Sequence, residues 1–213
     1  MFRLGLDFGS TLTKMALIKP GVKDKPFPQA VFKYKTNDHP GDFHNALVDF
    51  LKRENIPPDA IEHISATGTH ANMAKDNILG IPVNKVPEVE SIGLGGLALS
   101  GLDEALVVNM GTGTTYVDAT AEGIHHLGGT GMGGGTLTGL GQCILGTSSV
   151  REIVRLAGHG KLENVDLLIS DITDQELQNL PPILTAANFG KLAHQLYAKQ
   201  ASLAGKEDLA RAL

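Results

Sequence analysis

The chain has 213 residues, 23 Asp plus Glu against 18 Lys plus Arg, and a formal net charge of −5. It is long enough for a sizeable core and lacks the basic balance of a nucleic-acid surface. One cysteine, Cys143, excludes an internal disulfide and fits a reducing compartment. The N-terminus, MFRLGLDFGS, has no signal-peptide core, and no apolar run reaches membrane-spanning length. The expectation is a soluble cytoplasmic protein with neither nucleic acid nor membrane as partner. Twenty-six glycines gather at turns between periodic apolar segments, which points to ligand-cradling loops and not to disorder.

In chain order, residues 3–8 read as a buried strand and 13–18 as its antiparallel partner, joined through Gly9-Ser10-Thr11. Phe27 to Thr36 alternates as a third strand. Phe43, Ala46, Leu47, Phe50 and Leu51 fall at i, i+3, i+4, i+7 and i+8, which predicts a one-faced helix. Ile61 to Ala66 reads as a strand, His70 to Leu79 as a weak helix, Pro82 to Val86 as a strand, and Glu88 to Leu99 as an apolar helix. The order so far is βββαβαβα. A second series starts with strands at Ala105–Asn109, Tyr116–Thr120 and Gly123–Leu127. Glycines 128 to 135 then lead into a helix over Thr136–Leu145. A helix over Ser148–Leu156 follows, then a mixed acidic stretch over 162–180, a helix over Thr185–Lys199 and the start of another at Lys206.

Two strand–Gly/Thr–strand hairpins a hundred residues apart suggest phosphate handling, because consecutive N–H groups in such tips form an anion-binding concavity. Asp7, at the end of the first strand, suits Mg²⁺, directly or through water, and Lys14 suits phosphate charge. Gly129-Thr130-Gly131-Met132-Gly133-Gly134 formally matches GxGxxG, but it follows one strand of a meander and no acidic strand end lies about 20 residues on, so dinucleotide binding is set aside. A Gly-rich lead into a helix still suits an anion. Glu88 follows Pro87 at a helix start, where Glu serves the helix dipole or serves as a general base; both readings stand. His125 and His126 face opposite sides of a strand, which argues against a shared metal. Cys143 reads as small core packing.

These pieces resemble the type II pantothenate kinases: DFGSTLTK at 7–14, VPEVES at 86–91, NMGTGTTY at 109–116, GGTGMGGGTLTGLG at 128–141 and LTAANFGK at 184–191. The similarity runs the length of the chain. The two hairpin motifs are shared with all actin/hexokinase/Hsp70-like proteins and bear on fold; the Gly-rich lead and LTAANFG are more specific. The resemblance implies an α/β, actin-like (ribonuclease H-like) fold of duplicated βββαβαβα domains with a cleft between them. The domains would be 1–103 and 104–213, the second incomplete. It implies ATP and Mg²⁺ as cofactors, pantothenate as acceptor in the first step of coenzyme A biosynthesis, a homodimer, and coenzyme A or acyl-CoA as a feedback ligand.

By position, Asp7 would hold Mg²⁺, and Glu88 would be the catalytic base on the substrate. Gly9, Ser10, Thr11 and Lys14 would line the first phosphate loop, and Gly111, Thr112, Gly113, Thr114 and Thr115 the second. Gly131, Gly133, Gly134, Gly135 and Thr136 would cradle the nucleotide; His126, Gly128, Gly129 and Thr130 would line the pantothenate side. Three features depart from the family pattern. Ser10 stands where the family usually has a glycine, and His126 where it usually has an arginine; a histidine is shorter and unable to make a bidentate contact. The strands that grip adenosine in the family, which come after Lys206, are absent, so weak nucleotide binding by this chain is expected. The competing readings are a kinase of another small hydroxyl compound on the same fold and a catalytically weak nucleotide sensor.

Overall fold

The computed structural model describes residues 1–19, 28–35, 43–173, 180–197, 199 and 203–213. They form two compact units, Met1–Thr130 and Gly131–Leu213. The boundary of compactness thus falls after the third strand of the second series, whereas the expected division at 103/104 follows chain order.

The first unit is built on a six-stranded sheet. β1 (Phe2–Phe8), β2 (Leu12–Ile18) and β3 (Ala30–Lys35) form a meander, and β4 (Ile61–Thr67), β5 (Asn77–Ile78) and β6 (Ile81–Lys85) extend it in the order β3-β2-β1-β4-β6-β5. β1 pairs antiparallel with β2 and parallel with β4, and β4 pairs parallel with β6. Alternation in the strands decides which face is buried. Leu4, Leu6 and Phe8 of β1, Met15 and Leu17 of β2, and Ile64 and Ala66 of β4 are all buried, in one cluster with Ala46, Leu47, Phe50 and Leu51 of α1 (Phe43–Arg53). Phe50 stacks on Phe32 at 5.9 Å, and the Arg53 guanidinium lies 4.7 Å over the Phe32 ring. The other face of β1, β2 and β4 carries Asp7, Lys14 and Thr67. It is the polar face.

Chain order predicts a helix over His70–Leu79, and the structure replaces it with a single 3-10 turn, Ala71–Met73, and the short strand β5. Asn77 Oδ1 accepts from Gly80 N at 2.9 Å and closes the β5–β6 turn, so an Asx-type turn wins over weak helix propensity. The third strand starts at Ala30, and residues 27 and 36 of the expected span lie outside the described residues.

A second sheet in this unit holds β7 (Ala105–Met110), β8 (Thr114–Thr120) and β9 (Gly123–Thr130), antiparallel in that order. β9 runs three residues past the expected end, because Gly128, Gly129 and Thr130 pair with Tyr116, Thr115 and Thr114. A Cβ at Gly129 would lie 2.5 Å from the Thr114 carbonyl, so this approach needs glycine. The helix α2 (Glu88–Ser100) packs on the sheet through glycine: a Cβ at Gly93 would meet Ile124 at 2.5 Å, and one at Gly96 would meet Val107 at 2.5 Å. Helical glycines cost roughly 1 kcal/mol each. Here they let the helix axis sit close to β-branched side chains.

The second unit contains α3 (Gly134–Leu145), α4 (Val150–Ala157), the strand pair β10 (Leu167–Leu168) and β11 (Thr185–Ala187), and the short helices α5 (Ile169–Ile172), α6 (Gly190–Ala193) and α7 (Lys206–Ala212). Ser149 caps α4, accepting from Glu152 N. Leu145, Ile153, Leu156 and Ala210 form its small core. Over 185–197 the helix expected across Thr185–Lys199 is instead β11, a turn with Phe189 at φ 57°, and single helical turns, and residue 198 lies outside the described residues. The buried Asp166 carboxylate causes this: it accepts from Thr185 Oγ1 at 3.0 Å and Phe189 N at 2.9 Å. Cys143 is exposed on α3 and not core. It lies on the side of the helix away from Gly141 and Leu145, which are the buried positions. Among the described residues, no helix is long and apolar enough to cross a membrane.

Candidate functional site

The polar face of the six-stranded sheet carries a row of three side chains at one end. By register Lys14 stands opposite Asp7, and Asp7 opposite Thr67, on β2, β1 and β4. β1 and β4 are where the sheet reverses its direction of growth, since β2 and β3 lie to one side and β6 and β5 to the other. In open α/β sheets the carboxyl ends of strands at such a point form the binding crevice. Asp7 ends β1 there. Its Oδ2 accepts from Lys14 Nζ at 2.7 Å, with both side chains partly open to solvent.

Gly68 follows Thr67 at φ +94°, and a Cβ there would lie 2.6 Å from Asp7 Oδ1 and 2.7 Å from the Phe8 carbonyl. This is a position for glycine alone, and it lets the β4 turn close beside the carboxylate. His70 N donates to Phe8 O at 3.1 Å and fastens that turn to the end of β1.

The two hairpin tips meet within the first unit. Thr112 Oγ1 lies 3.2 Å from Ser10 Oγ and 3.0 Å from Thr11 Oγ1. The first tip is tight: a Cβ at Gly9 would be 2.6 Å from Leu12 O. In the second tip Gly111 N donates to Gly113 O at 2.8 Å, so that N–H is engaged inside the turn and the exposed hydroxyls are the outward groups. Thr114 and Thr115 begin β8 as partners of Thr130 and Gly129.

Glu88 is the first residue of α2 and is exposed. Val86 N donates to Ala66 O at 2.8 Å, so the chain enters α2 from beside the end of β4, and Pro87 supplies no capping side chain. His126 is exposed on β9, opposite Val117, and His125 opposite Asp118, so the two rings point to opposite faces as the alternation requires. Gly128, Gly129 and Thr130 are ladder residues of β9, not a free loop. Gly131, Gly133, Gly134, Gly135 and Thr136 belong to the second unit. There Thr136 Oγ1 accepts from Gly133 N at 3.3 Å and donates to Gly131 O at 3.0 Å, shaping the turn into α3.

Among the described residues no group of three or more His, Cys, Asp or Glu could enclose a metal. Mg²⁺ is commonly held by one or two carboxylates together with phosphate oxygens. Asp7, beside two hydroxyl-rich tips and a lysine, suits that mode and does not suit a protein cage.

Sequence reasoning missed Thr67 and Gly68 beside Asp7, and the buried polar residues Asp166 and Lys191 in the second unit. Lys191 is 3% exposed, pairs with Asp171 at 2.7 Å and donates to Glu163 O at 2.8 Å. The Thr-Gly pair at the end of a strand was the available signal for the first. Nothing local signals the second.

Comparison with known proteins points the same way. The family model described as Fumble matches residues 104–213. The chain is 30% identical over 198 residues to the type II pantothenate kinase of Oceanobacillus iheyensis, covering 90% of this chain and 68% of that protein. It is 29% identical over 203 residues to the type II pantothenate kinase of Staphylococcus aureus strain USA300, covering 92% and 69%. Among solved structures, component A of the (R)-2-hydroxyglutaryl-CoA dehydratase of Acidaminococcus fermentans superposes with a TM-score of 0.62 at 14% identity, over 99% of this chain and 72% of that one. The activator of the 2-hydroxyisocaproyl-CoA dehydratase of Clostridium difficile, with bound ADPNP, gives 0.54 at 16% identity over 80% and 60%. These two likenesses bear on fold, and the fold is the actin/hexokinase-like ATPase fold.

Proposed function

The chain belongs to the type II pantothenate kinase family, and we propose that it transfers the γ-phosphoryl group of ATP to the primary hydroxyl of pantothenate. One observation carries the reading: the two hairpin tips meet through Ser10, Thr11 and Thr112, beside a charged pair, Asp7–Lys14. Phosphoryl transfer asks for positioning and charge neutralisation more than for covalent chemistry, and these residue types supply both. The hydroxyls and tip backbone orient the phosphates, and Lys14 turns from Asp7 to phosphate oxygen. Glu88 accepts the proton of the attacking hydroxyl on a carboxylate oxygen. Mg²⁺, when bound with ATP, would sit on Asp7 and offset the charge of the phosphates. By family position, Gly131 to Thr136 are an anion-binding turn of the second unit at the start of α3, and Gly128 to Thr130 with His126 are acceptor-side residues of the first.

The same reading includes a repeat boundary at 103/104, since β7 starts a second three-stranded meander in chain order. It also includes a homodimer in the cytoplasm and feedback by coenzyme A or its thioesters, all resting on family membership. His126 favours a second reading, a nucleotide sensor with slow turnover, because an imidazole offers no bidentate contact. The test is pantothenate-dependent ADP release with Glu88→Gln alongside. Release that needs pantothenate and falls about 10²- to 10⁴-fold in the variant supports the kinase. ATP turnover that ignores pantothenate supports the sensor and sinks the kinase.

A further inference from the structure

Thr67 carries a buried hydroxyl beside a charged neighbour to which it makes no hydrogen bond. Its Oγ1 is shielded from solvent and has no hydrogen-bond partner among the described residues. Such a group carries a desolvation cost that folding alone does not repay. It ends β4 directly opposite Asp7 in the parallel register, on the same polar face. The Asp7 carboxylate is shared unequally: Oδ2 is held by Lys14 on the β2 side, while Oδ1 is turned toward Gly68, on the β4 side. Lys14 is half exposed and long, so it is free to leave; Thr67 is short, β-branched and fixed in the sheet.

We propose that Thr67 is a positioning residue for Asp7. With no ligand bound, Lys14 holds the carboxylate. When Lys14 turns to a phosphate, Thr67 Oγ1–H donates to Asp7 in its place. That hydrogen bond fixes the carboxylate plane and directs its remaining lone pairs outward from the strand end. The hydroxyl is thus kept without a partner in one state so that it has one in the other. The inference rests on the phosphoryl-transfer reading for its ligand, a magnesium nucleotide, but not on pantothenate as acceptor.

The experiment uses the whole chain with Thr67→Val, which keeps shape and removes the hydroxyl, and Thr67→Ser, which keeps the hydroxyl. Thermal melting is followed alone and with millimolar MgADP, and the Mg²⁺ dependence of pantothenate-dependent ADP release is measured in parallel. The valine variant alone should melt at or above the wild type, its MgADP-induced rise should shrink to less than half, and its half-saturating Mg²⁺ should increase about 10- to 100-fold, the range for partners that orient a metal ligand. Serine should restore both Mg²⁺ readouts. A valine variant whose MgADP response stays within twofold of wild type overturns the proposal. So does one that melts lower alone with an unchanged Mg²⁺ response, which would assign the hydroxyl to structure. If the wild type responds to MgADP but releases no ADP with pantothenate, the acceptor assignment fails and the melting data still decide Thr67. A wild type that ignores MgADP overturns this proposal as well.

Discussion

The hairpins β1–β2 and β7–β8 are built on the same plan and differ in what they carry. Two residues before Gly9 stands Asp7, with Lys14 on the returning strand; two residues before Gly111 stands Asn109, and β8 returns with Thr114, Thr115 and Tyr116. The first hairpin lies in the middle of a six-stranded sheet, over Leu4, Leu6 and Phe8. The second belongs to a three-stranded sheet, and on β7 Leu106, Val108 and Met110 are 62, 44 and 79% exposed. Charge therefore sits on the hairpin backed by the larger buried core, and the hairpin on the more open sheet carries only neutral hydroxyls at its tip. A metal-binding carboxylate loses function with small displacements. A hydroxyl on a phosphate tolerates more, because it is one of several donors.

Activity should divide along that line. Asp7→Asn keeps shape and removes the charge, and kcat/KM for ADP release should fall about a thousandfold, in the range lost with a preorganised electrostatic group. Thr112→Val removes one of three hydroxyls at the tips, and the loss should be about tenfold, as for one neutral hydrogen bond. Equal losses in the two variants would show that charge is not concentrated in the first hairpin.

Stability should divide the same way. Leu6 is 1% exposed, so Leu6→Ala should lower unfolding free energy by about 2–5 kcal/mol through lost transfer and a residual cavity. Leu106→Ala, on the open face of β7, should stay within about 0.5 kcal/mol. Urea unfolding of both variants checks this. A large loss at Leu106 would mean that something covers that face in solution.

Much of this architecture is legible in the sequence because it is written locally. Alternating Leu4, Leu6 and Phe8 before Gly9, and Val107 before Gly111, specify strand, turn and face at once. The i, i+3, i+4 stripe of α1 does the same for its helix. Asp7 and Glu88 are placed by strand and helix ends that local rules find. What was missed is written at a distance. LTAANFG is rich in Ala and Leu and reads as helix, yet Asp166, about twenty residues earlier, draws Thr185 and the Phe189 N–H into a strand and a left-handed turn. Gly128 and Gly129 read as loop, yet β8 offers Thr115 and Tyr116 as partners, and glycine suits the close approach. Thr67 gains meaning from Asp7, which lies sixty residues away in the chain and one strand away in space.

A further modest effect lies in the second unit, and it tests whether that unit has a polar anchor of its own. Burial pushes the Asp208 carboxyl up, but hydrogen bonds from Lys161 N at 2.8 Å, Asn164 Nδ2 at 3.0 Å and Gly205 N at 3.2 Å outweigh it, and the group sits below the usual carboxylate range. These bonds tie the start of α7 to the segment after α4. A carboxyl whose folded value is depressed stabilises the fold above its unfolded value, near pH 4, and that contribution is lost as pH falls through the lower folded value. Asp208→Asn should therefore cost about 1 kcal/mol at neutral pH, and the gap between variant and wild type should close as pH drops below about 4. Melting curves of both proteins from pH 7 to pH 3 read this directly. A gap that stays constant over the range would place the contribution in shape and not in the carboxylate's charge.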